Sequence, residues 1–315
     1  MIKNHKRYLL LAAICVFSIS WAGCAAEETG KSTSSSGAET TSLNSSSEGI
    51  FDTDLVDTKE DNEEAEKAGD RSKLISGSYF DSMNGCAVIL DADRYAFYNE
   101  ADSSVQVSPC STFKIVSTLI GLQNQVITSE DSTMGYDGTQ YPMEDWNGDL
   151  SLSEAFQKSC VWYFRKVIDQ VGEEEIKAEL EDLGYGNCDV SEWQGNHSNP
   201  ISELNGFWLE SSLKISPLEQ VNLLQKIFEG KTRYSEKAVD VLKQVMLIET
   251  NEYGSFYGKT GTGMNHNAWF AGVLEREDSN LYFAVYIDDE NVGEVNGSKA
   301  KEIAINTVKD YCDTN

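Results

Sequence analysis

The sequence predicts an α+β fold: a central antiparallel sheet built from both termini of the folded region, with a helical lobe inserted between its two halves. Three observations carry this expectation. Apolar strand-like segments, GCAVILD at 85–91 and RYAFYN at 94–99, open the apolar-rich region. Helical periodicity then dominates to about residue 247, and three further strand-like segments precede a last helix.

The first two segments read as a hairpin around the turn at Ala92 and Asp93. Helices are expected over 111–123, over 153–171 with Gly172 as its stop, and over 173–183 with Gly184 as its stop. Two more follow at 217–228, where proline occupies the first turn, and at 235–247, where serine caps the start. The late strands are GSFYGKTG (254–261), AWFAGVLE (268–275) and LYFAVYID (281–288), and the last helix covers 299–311. A cleft between sheet and lobe is where a site is expected.

At 315 residues and 40% apolar content, the chain can bury one sizeable core or two small ones. A formal charge of −27 argues against nucleic acid or an anionic lipid surface as partner, since both need clustered Lys and Arg.

The N-terminus places Lys3, Lys6 and Arg7 ahead of an apolar stretch over 8–19 and then small residues, the pattern of an export signal. That stretch is shorter than the ~20 residues a membrane-spanning helix needs. Ala22, Gly23 and Cys24 resemble the end of a bacterial lipobox, although Trp21 stands where an aliphatic residue is usual. The organisation expected is a signal over 1–24, a disordered Ser/Glu/Asp-rich tether over 25–73 and a folded domain over 74–315. Lipidation at Cys24 would anchor the chain to the outer face of the cytoplasmic membrane, its only membrane contact; without it the protein would be secreted.

Of seven cysteines, Cys15 leaves with the signal and Cys24 is the lipid site, so Cys86, Cys110, Cys160, Cys188 and Cys312 remain. They are odd in number and form no CxxC pair, so at least one is a free thiol. His197 and His266 lie in no ligand cluster, and no metal is expected.

The chemistry begins at SPCSTFKIVSTLIG, residues 108–121, where Ser111 precedes Lys114 at SxxK spacing. Helical spacing puts both side chains on one face. The spacing alone is weak evidence, since serine is a preferred helix cap and the pairs Ser211/Lys214 and Ser298/Lys301 share it. The second motif decides: Lys259, Thr260 and Gly261 form a KTG on a strand. An SxxK helix facing a KTG strand is the arrangement of serine acyltransferases that act on penicillins. A serine hydroxyl needs a base, and an ammonium cannot serve; burial of the lysine would depress its pKa and free the amine.

With QKSCVWYF, LGYGN, FWLE and AWF added, the sequence resembles the class D β-lactamases, in the family's motif order across 74–315, apart from a longer insertion between Asn187 and Phe207. The resemblance implies hydrolysis of small-molecule β-lactams through an acyl-enzyme on Ser111. It also implies that Lys114 adds carbon dioxide to become a carbamate base, supported by Val161 and the Trp208 indole; no other cofactor is expected. Ser159, read as lying mid-helix, would relay a proton to the lactam nitrogen, and Lys259 would supply positive charge. The N–H groups of Ser111 and Thr262 would form the oxyanion hole, with Thr260, Gly261, Tyr185 and Asn187 shaping the cleft.

One departure stands out: the family's carboxylate-holding arginine is absent from NGSKAKEIA, which leaves Thr260, Thr262 and Lys299 as candidates. The rival reading is a β-lactam sensor or penicillin-binding protein that is acylated and deacylates slowly, because PCSTFKI, WYF and ESSLKISPLEQ also resemble sensor domains. Val161, where sensors tend to carry asparagine, favours turnover. A lipoprotein that only binds cell-wall peptides is disfavoured by the intact Ser111, Lys114, Ser159 and Lys259. No GxSxG occurs to support a Ser/His/Asp hydrolase.

Overall fold

The structure is a computed structural model in which residues 73–291 and 295–315 are described. The expected signal and nearly all of the expected tether lie outside the described residues.

Among the described residues the chain runs β1 (Lys73–Leu74), β2 (Gly85–Asp91), β3 (Arg94–Tyr98), α1 (Glu100–Ser103), α2 (Lys114–Gln123), α3 (Leu152–Gln157), α4 (Val161–Val171) and α5 (Glu173–Leu183). It continues through α6 (Pro217–Phe228), α7 (Glu236–Met246), β4 (Leu247–Asn251), β5 (Gly254–Thr262), β6 (Asn267–Glu275), β7 (Asn280–Asp288) and α8 (Gly297–Thr314). The strands form one sheet in the order β1-β3-β2-β7-β6-β5-β4. Only β1 pairs in parallel, with β3; the other pairs are antiparallel, and β2 meets β7 in the middle. The sheet is thus built from both ends of the folded region, with α2 to α7 inserted between, as the alternation of apolar patterns implied.

Local chemistry explains the helix limits. Ser151 and Ser216 each build a capping box with a glutamate three residues on, and Pro217 occupies the first turn of α6. Gly184 ends α5 in the left-handed conformation.

Three expectations need correction. The single helix expected over 153–171 is two: α3 stops at Gln157, Ser159 takes φ 53, and α4 starts at Val161. The break is held by the Cys160 N–H, which bonds back to the Ala155 carbonyl at 2.8 Å. The nucleophile helix begins as a 3₁₀ turn over Cys110–Phe113, with Cys110 at φ 48. And β4, a largely exposed edge strand, follows α7 directly where no strand was expected.

The sheet separates two cores. Its lobe face packs against α2, α4, α6 and α7 through residues such as Phe113, Phe164, Trp208 and Leu224, while α8 covers the other face through Ile303, Val308, Phe270 and Phe283. Along β5 the pleat sends Phe256 toward α8 and Tyr257 toward the lobe. β4 pairs with β5 only as far as Leu247 opposite Tyr257. Residues 258–262, which hold the KTG motif, therefore run past the last paired residue of β4, beside a hollow of about 450 Å³ bordered by Gln157, Lys259, Thr260, Ser298 and Lys301.

Candidate active site

Ser111 and Lys114 lie at the start of α2. Ser111 is 9% exposed and Lys114 is fully buried, and the Lys114 Nζ donates to Ser111 Oγ at 2.9 Å. The Nζ also stands 5.3 Å from the centroid of the Phe164 ring. Burial in this apolar setting lowers the Lys114 pKa to about 8, because the charged form loses its water. The neighbouring thiols of Cys110 and Cys160 are pushed by the same burial to about 12 and about 11, so they stay protonated at neutral pH. With Cys86, Cys188 and Cys312 they are free cysteines.

Ser159 reaches the cleft because of the break between α3 and α4, not from mid-helix. Its hydroxyl oxygen accepts from the Nζ of Lys259, which also donates to the Thr260 carbonyl at 3.0 Å. Burial, and then the charge of Lys114, hold the Lys259 pKa well below the lysine range. Two lysines thus share one desolvated cleft, where a single positive charge is tolerated far better than two.

Gly261 explains how the KTG strand approaches the nucleophile. A Cβ built there would lie 3.2 Å from the Pro109 carbonyl oxygen and 3.4 Å from the Ser111 nitrogen. A bare backbone is what lets β5 lie against the 3₁₀ turn. Thr262 follows, its Oγ1 accepting the Gly297 N–H at 2.9 Å and so joining β5 to the start of α8.

Trp208 is fully buried, and its indole N–H has no partner among the described residues. Its ring packs 5.7 Å from that of Phe113, the residue before Lys114, while the guanidinium of Arg165 lies between the rings of Trp208 and Trp193 at 5.8 and 4.9 Å. An unpaired buried donor is costly, so this one marks where an acceptor fits. A carboxyl group on Lys114 suits that donor set, with Val161 on the wall of an adjoining hollow of about 150 Å³. Among the described residues no cluster of His, Cys, Asp or Glu could hold a metal ion.

The expectation that Tyr185 and Asn187 shape the cleft gives way to a different placement. Tyr185 is fully buried edge-on to Phe113, and Asn187 clamps a loop behind it, donating to the Ser212 carbonyl at 2.8 Å and accepting the Lys214 N–H at 2.9 Å. Gly186, at φ 51, has the Lys214 carbonyl where a Cβ would stand. Lys299 turns away from the cleft toward Asp81 and Glu302, 3.6 and 3.5 Å from its Nζ, whereas Ser298 and Lys301 border the hollow beside Lys259. Ser211 bonds to Glu192, apart from any lysine chemistry. Sequence reasoning passed over Arg165 and Glu210, although FWLE pointed at the second.

A serine hydrogen-bonded to a buried lysine, facing a KTG strand across a sheet-and-lobe cleft, defines a penicillin-binding, transpeptidase-type domain. Residues 60–309 match the family described as penicillin binding protein transpeptidase domain, and the chain belongs to that family. The regulatory protein BlaR1 of Bacillus licheniformis is 37% identical over 236 residues, covering 72% of this chain and 37% of the relative, so the chain spans little more than a third of that protein. The probable beta-lactamase YbxI of Bacillus subtilis is 32% identical over 244 residues, covering 76% of this chain and 85% of the relative. A solved class D beta-lactamase from Bacillus subtilis superposes with a TM-score of 0.65 at 33% identity, covering 74% of this chain and 94% of that one.

Proposed function

We propose that this protein is a class D serine β-lactamase, opening the lactam ring through an acyl-enzyme on Ser111 with N-carboxylated Lys114 as general base. The relatives tie the chain to β-lactam hydrolysis or sensing; one observation carries the finer reading. The Lys114 amine is fully buried, 2.9 Å from Ser111 Oγ, with its pKa lowered to about 8, in a core that also holds the N–H of Trp208, without a partner among the described residues.

Ser111 Oγ attacks the lactam carbonyl, whose oxygen gathers negative charge. The Ser111 N–H, at a helix start, and the Thr262 N–H, on the strand pressed against it, receive that oxygen; one such donor is typically worth roughly 10²- to 10³-fold in rate. When carboxylated, Lys114 supplies a carbamate oxygen able to take the proton of Ser111 and later that of the hydrolytic water. As the C–N bond breaks, Ser159, held by Lys259, delivers a proton to the leaving nitrogen. The proton taken from Ser111 then replaces the one this pair gave up, so the carbamate is free again when water attacks. Water then releases the ring-opened acid and restores Ser111.

A second reading is favoured by the 37% identity to BlaR1: the chain would be acylated once and stay acylated. Benzylpenicillin with bicarbonate separates the two. The proposal expects many turnovers per protein and a transient adduct by intact-protein mass spectrometry; one burst with a permanent adduct on Ser111 would establish the sensor reading instead. Export with lipidation at Cys24 completes the proposal, and the mass of the processed N-terminus tests it.

A further inference from the structure

The FWLE segment holds a second polar residue that the mechanism leaves unused. Glu210 has φ 52, a left-handed conformation that a glutamate keeps only when its surroundings impose it. Its carboxylate gathers three donors from the turn between β5 and β6: Oε2 accepts the Met264 N–H at 3.0 Å, and Oε1 accepts the Asn265 N–H and the Asn267 Nδ2 at 3.0 Å each. The Glu210 N–H donates to Ser108 Oγ at 2.7 Å, and that hydroxyl donates to the Trp208 carbonyl at 3.0 Å. The Ser108 carbonyl in turn accepts the indole N–H of Trp269, on β6, at 2.9 Å.

Three segments meet here: the approach to the nucleophile at Ser108, the Trp208 backbone, and the turn that begins directly after Thr262. Only a carboxylate can join them this way. It offers acceptors on both oxygens, whereas an amide would turn its NH₂ against an N–H of the turn. We propose that Glu210 is a positioning residue, holding the 263–267 turn against the nucleophile segment so that the Thr262 N–H and the Trp208 indole are placed together. The inference rests on the acyl-transfer reading above and adds what keeps the oxyanion site in register, where a displacement of about 1 Å can cost on the order of 10²-fold.

The test compares wild type with Glu210→Gln by single-turnover acylation with benzylpenicillin and by the affinity of phenylboronic acid, which forms a tetrahedral adduct on serine. Glu210→Gln should lower the acylation rate constant about 10- to 100-fold and weaken the boronate in proportion, with the initial dissociation constant of benzylpenicillin changed less than about threefold. A merely structural role would lower the melting temperature and leave those ratios unmoved. An acylation rate and boronate affinity equal to wild type would overturn the proposal. Should Glu210→Gln not fold, Asn267→Ala removes a single donor and should give a smaller, still proportional loss; no loss would overturn the proposal equally. A wild-type protein that forms no adduct would sink the acyl-transfer reading and this inference with it, a result distinct from an adduct that Glu210→Gln matches in rate.

Discussion

The two faces of the sheet obey different rules. The α8 face is filled by hydrocarbon, with Phe80, Ile89, Phe256, Phe270, Phe283, Ile303 and Val308 in one cluster. The lobe face holds two buried lysines and, without partners among the described residues, the Trp208 N–H and the Tyr185 hydroxyl, and the backbone facing it adopts left-handed conformations at Cys110, Ser159 and Glu210. Each of these features costs stability. They gather where Ser111 sits, so the hydrocarbon face and the rest of the lobe core must offset them. One sheet thus divides its labour, with a side packed mainly by hydrocarbon that stabilises and a side carrying buried lysines that reacts.

The strongest way to break this comparison is a pair of substitutions, one on each face. Lys114→Ala should slow deacylation on the order of 10²- to 10⁴-fold, and slow capture of benzylpenicillin less, as read from the lifetime of the adduct. Ile303→Ala, on α8 and fully buried, should cost about 2–5 kcal/mol in urea unfolding and leave kcat unchanged. A Lys114→Ala enzyme with the original turnover would remove the base assignment. A large loss of kcat in Ile303→Ala would show that the faces are not separate.

How much was legible in the sequence follows the same division. The strands of the sheet could be read from short apolar runs, and β2, β3, β6 and β7 lie within a residue of their expected limits. The lobe face was legible as motifs but not as geometry. Nothing in QKSCVWYF, with neither glycine nor proline, announces a left-handed serine at 159; the helix breaks there through tertiary packing and the Cys160 bond to Ala155. Tyr185 and Asn187 could be recognised as a motif, yet the burial of Tyr185 against Phe113 and the hold of Asn187 on a loop 25 or more residues downstream are tertiary. Glu210 gave a signal in FWLE, but its partners lie more than 50 residues away. β4 escaped because LIETN lacks a clean alternation and follows a helix without a turn.

The strained face should also reveal itself through pH. The folded-state pKa of Lys114 lies at about 8, below its ordinary 10.5. Below about 8 the folded protein carries a desolvated ammonium and the full penalty applies. From there to about 10.5 the folded state has lost the proton that the unfolded chain still binds, so stability rises with pH through that window. Lys114→Met removes the penalty. In buffer free of carbon dioxide it should exceed wild type by up to about 3 kcal/mol near pH 7, with the advantage fading near pH 10. Lys259, lowered in the same direction, will add to the wild-type slope. A flat difference between the two proteins across that range would mean that Lys114 is hydrated.

The smallest expected effect is the sharpest, because its sign depends on what Lys114 carries. Trp208→Phe keeps an aromatic ring against Phe113 and removes an N–H that has no partner among the described residues. Without carbon dioxide, losing an unsatisfied buried donor should compensate for the smaller ring, leaving stability within about 1 kcal/mol of wild type. With bicarbonate the signs separate. Wild type gains a partner for the indole and should be stabilised, whereas Trp208→Phe should gain less and need more bicarbonate to reach half its maximal rate. Unfolding curves and benzylpenicillin turnover across a bicarbonate series measure both. If the two proteins respond to bicarbonate in parallel, the indole does not hold a carboxylated Lys114, and its unpaired donor has to be explained by packing alone.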